Sequence, residues 1–356
     1  MLRRTVRRRP CTSSEPRHAV LSVTREGTLQ MKSNITGRLA FASVIALACV
    51  GVATPASAQK IENSYICVFK EGTVGRGQEK AQANAAAANA GGNVNHVYTN
   101  AIRGFAANMS ARGAAQMQAS NPRIAYCEQD QVVETVQGKP DKGGSTGSAT
   151  ETTPWGIARV GGGQTGATGR AFVIDSGVDL DHPDLNVNTG MSRSFTRERN
   201  ADDGNGHGTH VAGTIAAIAN NNIGVVGVAA GAEIVAVKVL TRSGSGSNSG
   251  VIAGVDYVAQ VGRPGDVANM SLGGGVSTVL DNAVINAAAG GVKFVLAAGN
   301  ESDDADNHSP ARANGPNVFT VSSFAQGDNW SSFSNFGNPP VDYAEPGSAI
   351  YSTYKA

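Results

Sequence analysis

Three polar residues stand just past short apolar runs, and their types suit acyl-transfer chemistry. Asp175 closes the run AFVID and is followed by Ser176 and Gly177. His207 opens the segment HGTHVAGTIAAI, with His210 three residues on. Asn300 follows VKFVLAAG. A carboxylate can orient an imidazole, an imidazole can take a proton from a hydroxyl, and an amide can donate to a developing oxyanion. Each residue alone has a plainer reading. Asp and Asn commonly cap turns, and His210 can be a satisfied structural histidine. Two histidines at i and i+3 share a helix face and could hold a metal. However, Gly208 and Thr209 follow His207, so the HExxH arrangement is absent, and no third ligand stands out.

In order along the chain, VIDSGVDLDHPDL, NGHGTHVAG and LAAGNE together resemble the subtilisin family of serine peptidases, most closely its proteinase K branch. The resemblance runs from Pro154 to the end of the chain. It implies that Asp175 orients the histidine and that His207 acts first as general base and then as general acid. It also implies that Asn300 supplies the side-chain half of an oxyanion hole. Ser271, Leu272 and Gly273 resemble one wall of the first specificity pocket, and Ala297, Ala298 and Gly299 the other. Gly244, Ser245 and Gly246 resemble the edge that pairs with a substrate backbone. Walls this small and apolar should admit a large apolar side chain. NGPNVFTV and PVDYAEPG resemble the family's calcium site, with backbone oxygens from Pro316 and Val318 and the carboxylate of Asp342. No organic cofactor is implied.

The chain departs from the family in one place. The family's nucleophilic serine sits in a Gly-Thr-Ser-Met-Ala type motif, and no Gly-Thr-Ser follows Asp175 here. Ser348 corresponds to a segment ahead of that motif. The expectation is a peptidase domain truncated before its serine and therefore inactive as a 356-residue chain.

These residues need a scaffold that brings strand ends together. The runs 171–174, 234–240, 267–270, 292–296 and 318–321 are short and apolar, as strands buried on both faces of a parallel sheet are. Helices are expected over 207–219, 248–261 and 277–289. The fold class is then α/β, a subtilisin-like open parallel sheet flanked by helices, with sites beyond the carboxyl ends of the strands. Ahead of it, strands at 64–70, 93–98, 103–109 and 124–133 alternate with helices at 78–89 and 110–120. That order is the split βαβ, or ferredoxin-like, arrangement. Its segments YICVFK, RGFAANM and YCEQDQVV resemble the family's inhibitory propeptide. Cys67 and Cys127 fall on its first and last strands, where a disulfide or two buried thiols would fit equally.

Residues 31–58 have a basic lead, an apolar core and Ala56-Ser57-Ala58, the three parts of a secretory signal peptide. The apolar core is too short to cross a bilayer, which takes roughly 20 residues. Met31 is the expected start, with residues 1–30 an upstream extension of the reading frame. The remaining divisions are an inhibitory propeptide at 59–137, a Gly/Ser/Thr linker at 138–152 and the peptidase domain at 153–356. A formal net charge of +1 gives no reason to expect a nucleic-acid partner. The expected partners are polypeptide substrates and the chain's own propeptide, with the protein secreted and monomeric. Two other readings stay open: a non-catalytic remnant or pseudoprotease whose folded part is the propeptide, acting as inhibitor or chaperone, and a metal hydrolase using Asp175 and His207.

Overall fold

Strand and helix signals translate into elements within a few residues of where the pattern puts them. The structure, a computed structural model, describes residues 59–136 and 150–356. The segments 1–30 and 31–58, with Cys11 and Cys49, lie outside the described residues, as do Gln137 and most of the linker.

The N-terminal unit runs β1 (Lys60–Phe69), α1 (Glu79–Asn89), β2 (Asn93–Tyr98), β3 (Gly104–Asn108), α2 (Ala111–Ser120) and β4 (Ile124–Thr135). Its sheet is antiparallel with order β4-β1-β3-β2. Helix α1 buries Glu79, which pairs with Arg103, and otherwise only the alanines Ala83, Ala86 and Ala87, so helix and strands approach closely. Helix α2 starts where Ser110 accepts the Gly113 N–H, an N-cap, and ends at Asn121 before Pro122. Cys67 and Cys127 face each other across β1 and β4 and form a disulfide, with Cα atoms 4.1 Å apart. The bond joins a cluster that includes Phe69, Phe105 and Ile124.

The C-terminal unit follows as α3 (Trp155–Arg159), β5 (Ala171–Asp175), β6 (Arg193–Ser194), α4 (His207–Ala216), β7 (Ile234–Lys238), β8 (Ser245–Ser247) and α5 (Asn248–Val261). Then come β9 (Val267–Met270), β10 (Leu272–Gly275), α6 (Thr278–Ala288), β11 (Lys293–Ala297), β12 (His308–Ser309), β13 (Val318–Ala325), β14 (Asn329–Trp330) and β15 (Val341–Pro346). Its sheet has the order β14-β13-β11-β9-β5-β7-β6, with β15 on β13. All pairings but β13 with β14 are parallel. Every residue of β5 and β7 is buried, which is why those strands read as unbroken apolar runs. Burying each Val, Ile or Phe there is worth about 1.5–3 kcal/mol, so the strand ends are rigid platforms. Helices α5 and α6 start at Ser247 and Ser277, whose side chains accept the Gly250 and Leu280 N–H groups.

Strand β4 joins the two units. It leaves the N-terminal sheet and runs between β8 and β10, antiparallel to both. Both units lie within one compact body, Thr54–Ala356.

Candidate active site

Asp175 is the last residue of β5, fully buried, and His207 is the first of α4. The imidazole Nδ1 lies 2.8 and 2.9 Å from the two Asp175 oxygens. This closeness needs glycine at two points. A Cβ on Gly208 would strike the Gly177 carbonyl, and one on Gly206, at φ 109°, would enter the Tyr354 ring. The small residues of HGTHVAG are therefore the condition for bringing helix and strand end together. Burial works against a charge on the His207 ring, but the charge and hydrogen bond of Asp175, with Asp203 behind, outweigh it. The ring holds its proton above the ordinary histidine range, as a general base that must carry an imidazolium requires. His210 goes the other way. Burial lowers its proton affinity, and its Nε2 meets the Ile350 carbonyl at 3.1 Å, a structural contact.

Asn300 follows β11 and lines one hollow of about 390 Å³ with His207, Ser271, Ala297, Ala298 and Gly299. Four of the six residues matched to the specificity pocket thus lie in one hollow with the imidazole. Gly273 lines a neighbouring hollow with Val136 and Asn300, and Leu272 is fully buried with its side chain in the core. The edge segment is also in place. Gly246 and Ser245 pair with Val133 and Glu134 on one side of β4, and Gly274, Gly273 and Leu272 pair with Val133, Glu134 and Thr135 on the other. Beyond the ladder, Thr135 N donates to Gly244 O at 2.9 Å and Val136 N to Ser271 O at 3.1 Å. Val136 lines the same hollow as His207, and its backbone adds to the groups that raise the ring's proton affinity. A peptide backbone therefore fills the cleft, with Val136 in the hollow of the imidazole. Among the described residues no serine hydroxyl is hydrogen-bonded to His207.

The residues matched to calcium sit on two neighbouring strands. Asp342 in β15 accepts the Thr320 N–H at 2.8 Å, two residues along β13 from Val318, while Pro316 precedes that strand. Two carbonyls and a carboxylate are hard oxygen donors of the kind calcium takes.

Several acidic residues of the interface escaped the sequence reading. Asp130, in β4 and 1% exposed, accepts the Ser249 N–H at 3.0 Å, the Ser249 hydroxyl at 2.6 Å and the Ser64 hydroxyl at 3.0 Å. Glu128, two residues earlier, accepts from the Ser277 hydroxyl and the Val279 N–H. Each carboxylate thus meets the positive end of a helix, α5 or α6. In return Asp256 of α5 accepts the N–H groups of Thr99, Asn100 and Ala101, at 3.1, 2.7 and 2.8 Å. The available signal was CEQDQ: acids at i and i+2 share one strand face, an arrangement a solvated strand does not need.

Glu128 has a neighbour of like charge. Asp281, in the first turn of α6, is buried, lies 3.5 Å from Arg312 and leaves its Oδ1 without a hydrogen-bond partner. Burial pushes its carboxyl up from 3.8 to about 6. A raised carboxyl keeps its proton in the folded state when the unfolded chain has lost it. The stability it lends is present below about pH 4, declines between about pH 4 and 6, and is gone above that. Two units correspond to at most about 3 kcal/mol. Asp281→Asn should therefore match the parent at about pH 4 and be more stable than it at about pH 7, measured by urea unfolding at both. Equal stability of the two proteins at the higher pH would contradict this account.

A strand-end carboxylate, a helix-start imidazole and a cleft walled by main chain thus stand together at the strand ends of an open parallel sheet. The subtilase family model matches residues 172–355, and the peptidase inhibitor I9 model matches residues 64–136. The chain is 42% identical over 275 residues to the alkaline serine exoprotease A of Vibrio alginolyticus, covering 73% of this chain and 48% of that protein. It is 35% identical over 315 residues to proteinase R of Parengyodontium album, covering 84% of this chain and 74% of that protein. The crystal structure of a cold-adapted subtilisin-like serine proteinase superposes with a TM-score of 0.50 at 44% identity, covering 57% of this chain and 76% of that one. This chain belongs to the subtilase family and carries an I9-type unit ahead of the peptidase domain. It spans about half the length of the Vibrio relative.

Proposed function

We propose that the chain is the precursor of a secreted serine endopeptidase whose I9-type unit lies in the cleft as its own first product. The observation that supports this most directly is Val136 in the hollow that His207 and Asn300 line. Asp175 holds the ring, His207 takes the proton of an attacking serine hydroxyl, and the proton then passes to the leaving amine. Asn300 donates to the oxyanion. Substrates are polypeptides bound by their backbone between β8 and β10, with an apolar side chain in the hollow. The scissile bond of the precursor is Val136–Gln137, one bond ahead of the linker. Export removes residues up to Ala58. Among the described residues no helix is long and apolar enough to cross a membrane.

The nucleophile is a serine that no Gly-Thr-Ser of this sequence supplies after Asp175. If no serine motif follows in the gene, the I9-type unit is the functional part, as the inhibitor or chaperone of a non-catalytic remnant. A single comparison separates the readings: the gene product read through the codon for Ala356, beside residues 59–356 alone. With a downstream serine motif, the longer protein should yield a mature form starting at Gln137, and His207→Ala should abolish that cut. The shorter chain should give no turnover of an apolar-residue peptide. A His207→Ala protein that still processes itself, or a serine in residues 59–356 labelled by a covalent inhibitor, would overturn this account.

Calcium, held by Pro316 O, Val318 O and Asp342, would tie β15 to β13. Chelation should lower the thermal midpoint of the parent and leave that of Asp342→Asn where it was. Equal effects of chelator on both would remove the site.

A further inference from the structure

Asp203 lies four residues before His207, outside every segment assigned above, and is 7% exposed. Its carboxylate takes five donors. Oδ1 accepts the Ser176 hydroxyl at 3.0 Å and the Asn205 and Gly206 N–H groups at 2.9 Å each. Oδ2 accepts the Thr209 N–H at 3.0 Å and its hydroxyl at 2.6 Å. Gly206, the residue ahead of α4, has no side chain to cap the helix, so Asp203 does what an N-cap residue would do. Ser176 extends the link to the strand. Its hydroxyl, donating to Asp203, also accepts the Gly208 N–H at 3.0 Å, and its N–H donates to Asp175 Oδ1 at 2.6 Å. Behind it the fully buried Lys238 donates to the Ser176 carbonyl and pairs with Glu198 at 3.1 Å.

We propose that Asp203 is a positioning residue of the peptidase reaction, a buried carboxylate that locks the strand end bearing Asp175 to the helix end bearing His207 and sets a second negative charge behind the imidazole. The lock explains why the Asp175–His207 contact does not depend on that one hydrogen bond. Strand and helix are already joined through Asp203, Ser176, Gly206 and Thr209. The charge explains part of the ring's raised proton affinity, in which burial opposes, Asp175 dominates the restoring side and Asp203 adds to it. The charged and titratable groups around the ring are Asp175 on β5, Asp203 in the preceding loop and His210 on α4. Lys238 and Glu198 stand behind Ser176. Each of Asp203's five donors offsets part of its charge, so removing one should strengthen the field at His207.

Asp203 has this role only if the Asp175–His207 pair is the peptidase pair, yet its effect on the ring is measurable without turnover. The full chain, isotopically labelled, is titrated by NMR with the His207 ring as reporter. In Asp203→Asn the titration midpoint should fall. In Thr209→Val, which keeps the shape and removes the hydroxyl donor at 2.6 Å, it should rise. A carboxylate that only filled space would move neither. A folded Asp203→Asn protein with an unmoved or higher midpoint would overturn the proposal, and so would Thr209→Val with an unmoved or lower one. If Asp203→Asn does not fold, the sign of the Thr209→Val shift decides alone. The peptidase reading fails separately, in the processing assay.

Discussion

Replacing Asp130 with alanine is expected to loosen the cleft-bound strand by about 3 kcal/mol, a factor of roughly one to two hundred in its docking equilibrium. The carboxylate is 1% exposed and answers four donors, two from its own unit and two from the start of α5. Alanine leaves the Ser249 N–H buried without an acceptor and its hydroxyl with only the Ser247 oxygen at 2.9 Å, and an unanswered buried donor costs about 1–3 kcal/mol. The helix start also loses the negative charge that faces it. Amide exchange at 133–136 reads the docking directly, because that stretch is paired with β8 and β10, whereas the Val132 N–H is bonded to Gln59 O within its own unit. Exchange there should rise by two orders of magnitude, with exchange in β1 and β3 much less affected. Asp130→Asn, which keeps one acceptor oxygen, should fall between parent and alanine. Exchange at 133–136 within twofold of the parent would show that Asp130 does not hold the strand.

Loss of the Cys67–Cys127 bond should cost about 4 kcal/mol, since a closed loop of some 60 residues removes that much chain entropy from the unfolded state. The N-terminal unit is small, and its helices contribute mostly alanine to the core, so the bond supplies much of its margin. The double variant Cys67→Ser, Cys127→Ser should lower the denaturant midpoint of β1, β3 and β4, followed by amide exchange. Reduction of the parent should reproduce that loss. A double variant within 0.5 kcal/mol of the parent would mean that the apolar cluster around Phe69, Phe105 and Ile124 suffices alone.

Long elements were legible in the sequence because their signals are local. Asn248–Val261 and Val267–Met270 coincide with the expected ranges, and Ser110 and Ser277 cap the helices they were expected to begin. The expected helix 207–219 ends early, at Ala216, where the chain turns extended at Ala217. The short strands β6, β10, β12 and β14 were not read, nor was the six-residue β15, whose sequence VDYAEP lacks an apolar run, and β8 was read only as a backbone-pairing edge. Strands of two to four glycine- and serine-rich residues, such as SGS and LGGG, carry no periodicity and exist because of the partner they pair with. The same holds at the site. Asp175, His207 and Asn300 sit in motifs that can be read along the chain. Asp130 and Asp256 meet donors far away in sequence, in the case of Asp256 155–157 positions distant, while Asp203 is held mostly by the nearby Asn205, Gly206 and Thr209, a loop arrangement that has no periodicity to read.

The double pairing of β4 bears on when the cleft can be reached at all. While Val136 is still covalently continuous with the domain it occupies, the strand competes as a tethered ligand, at an effective concentration that for short flexible connections is of millimolar order. Free peptides at micromolar levels would be outcompeted by roughly a thousandfold. A single hydrolytic event changes none of the hydrogen bonds that Ser245, Gly246, Leu272, Gly273 and Gly274 make, but it removes the tether. From that moment occupancy depends on how dilute the molecule is. Latency would then be set by concentration as much as by affinity, and export into a large volume would itself be the trigger.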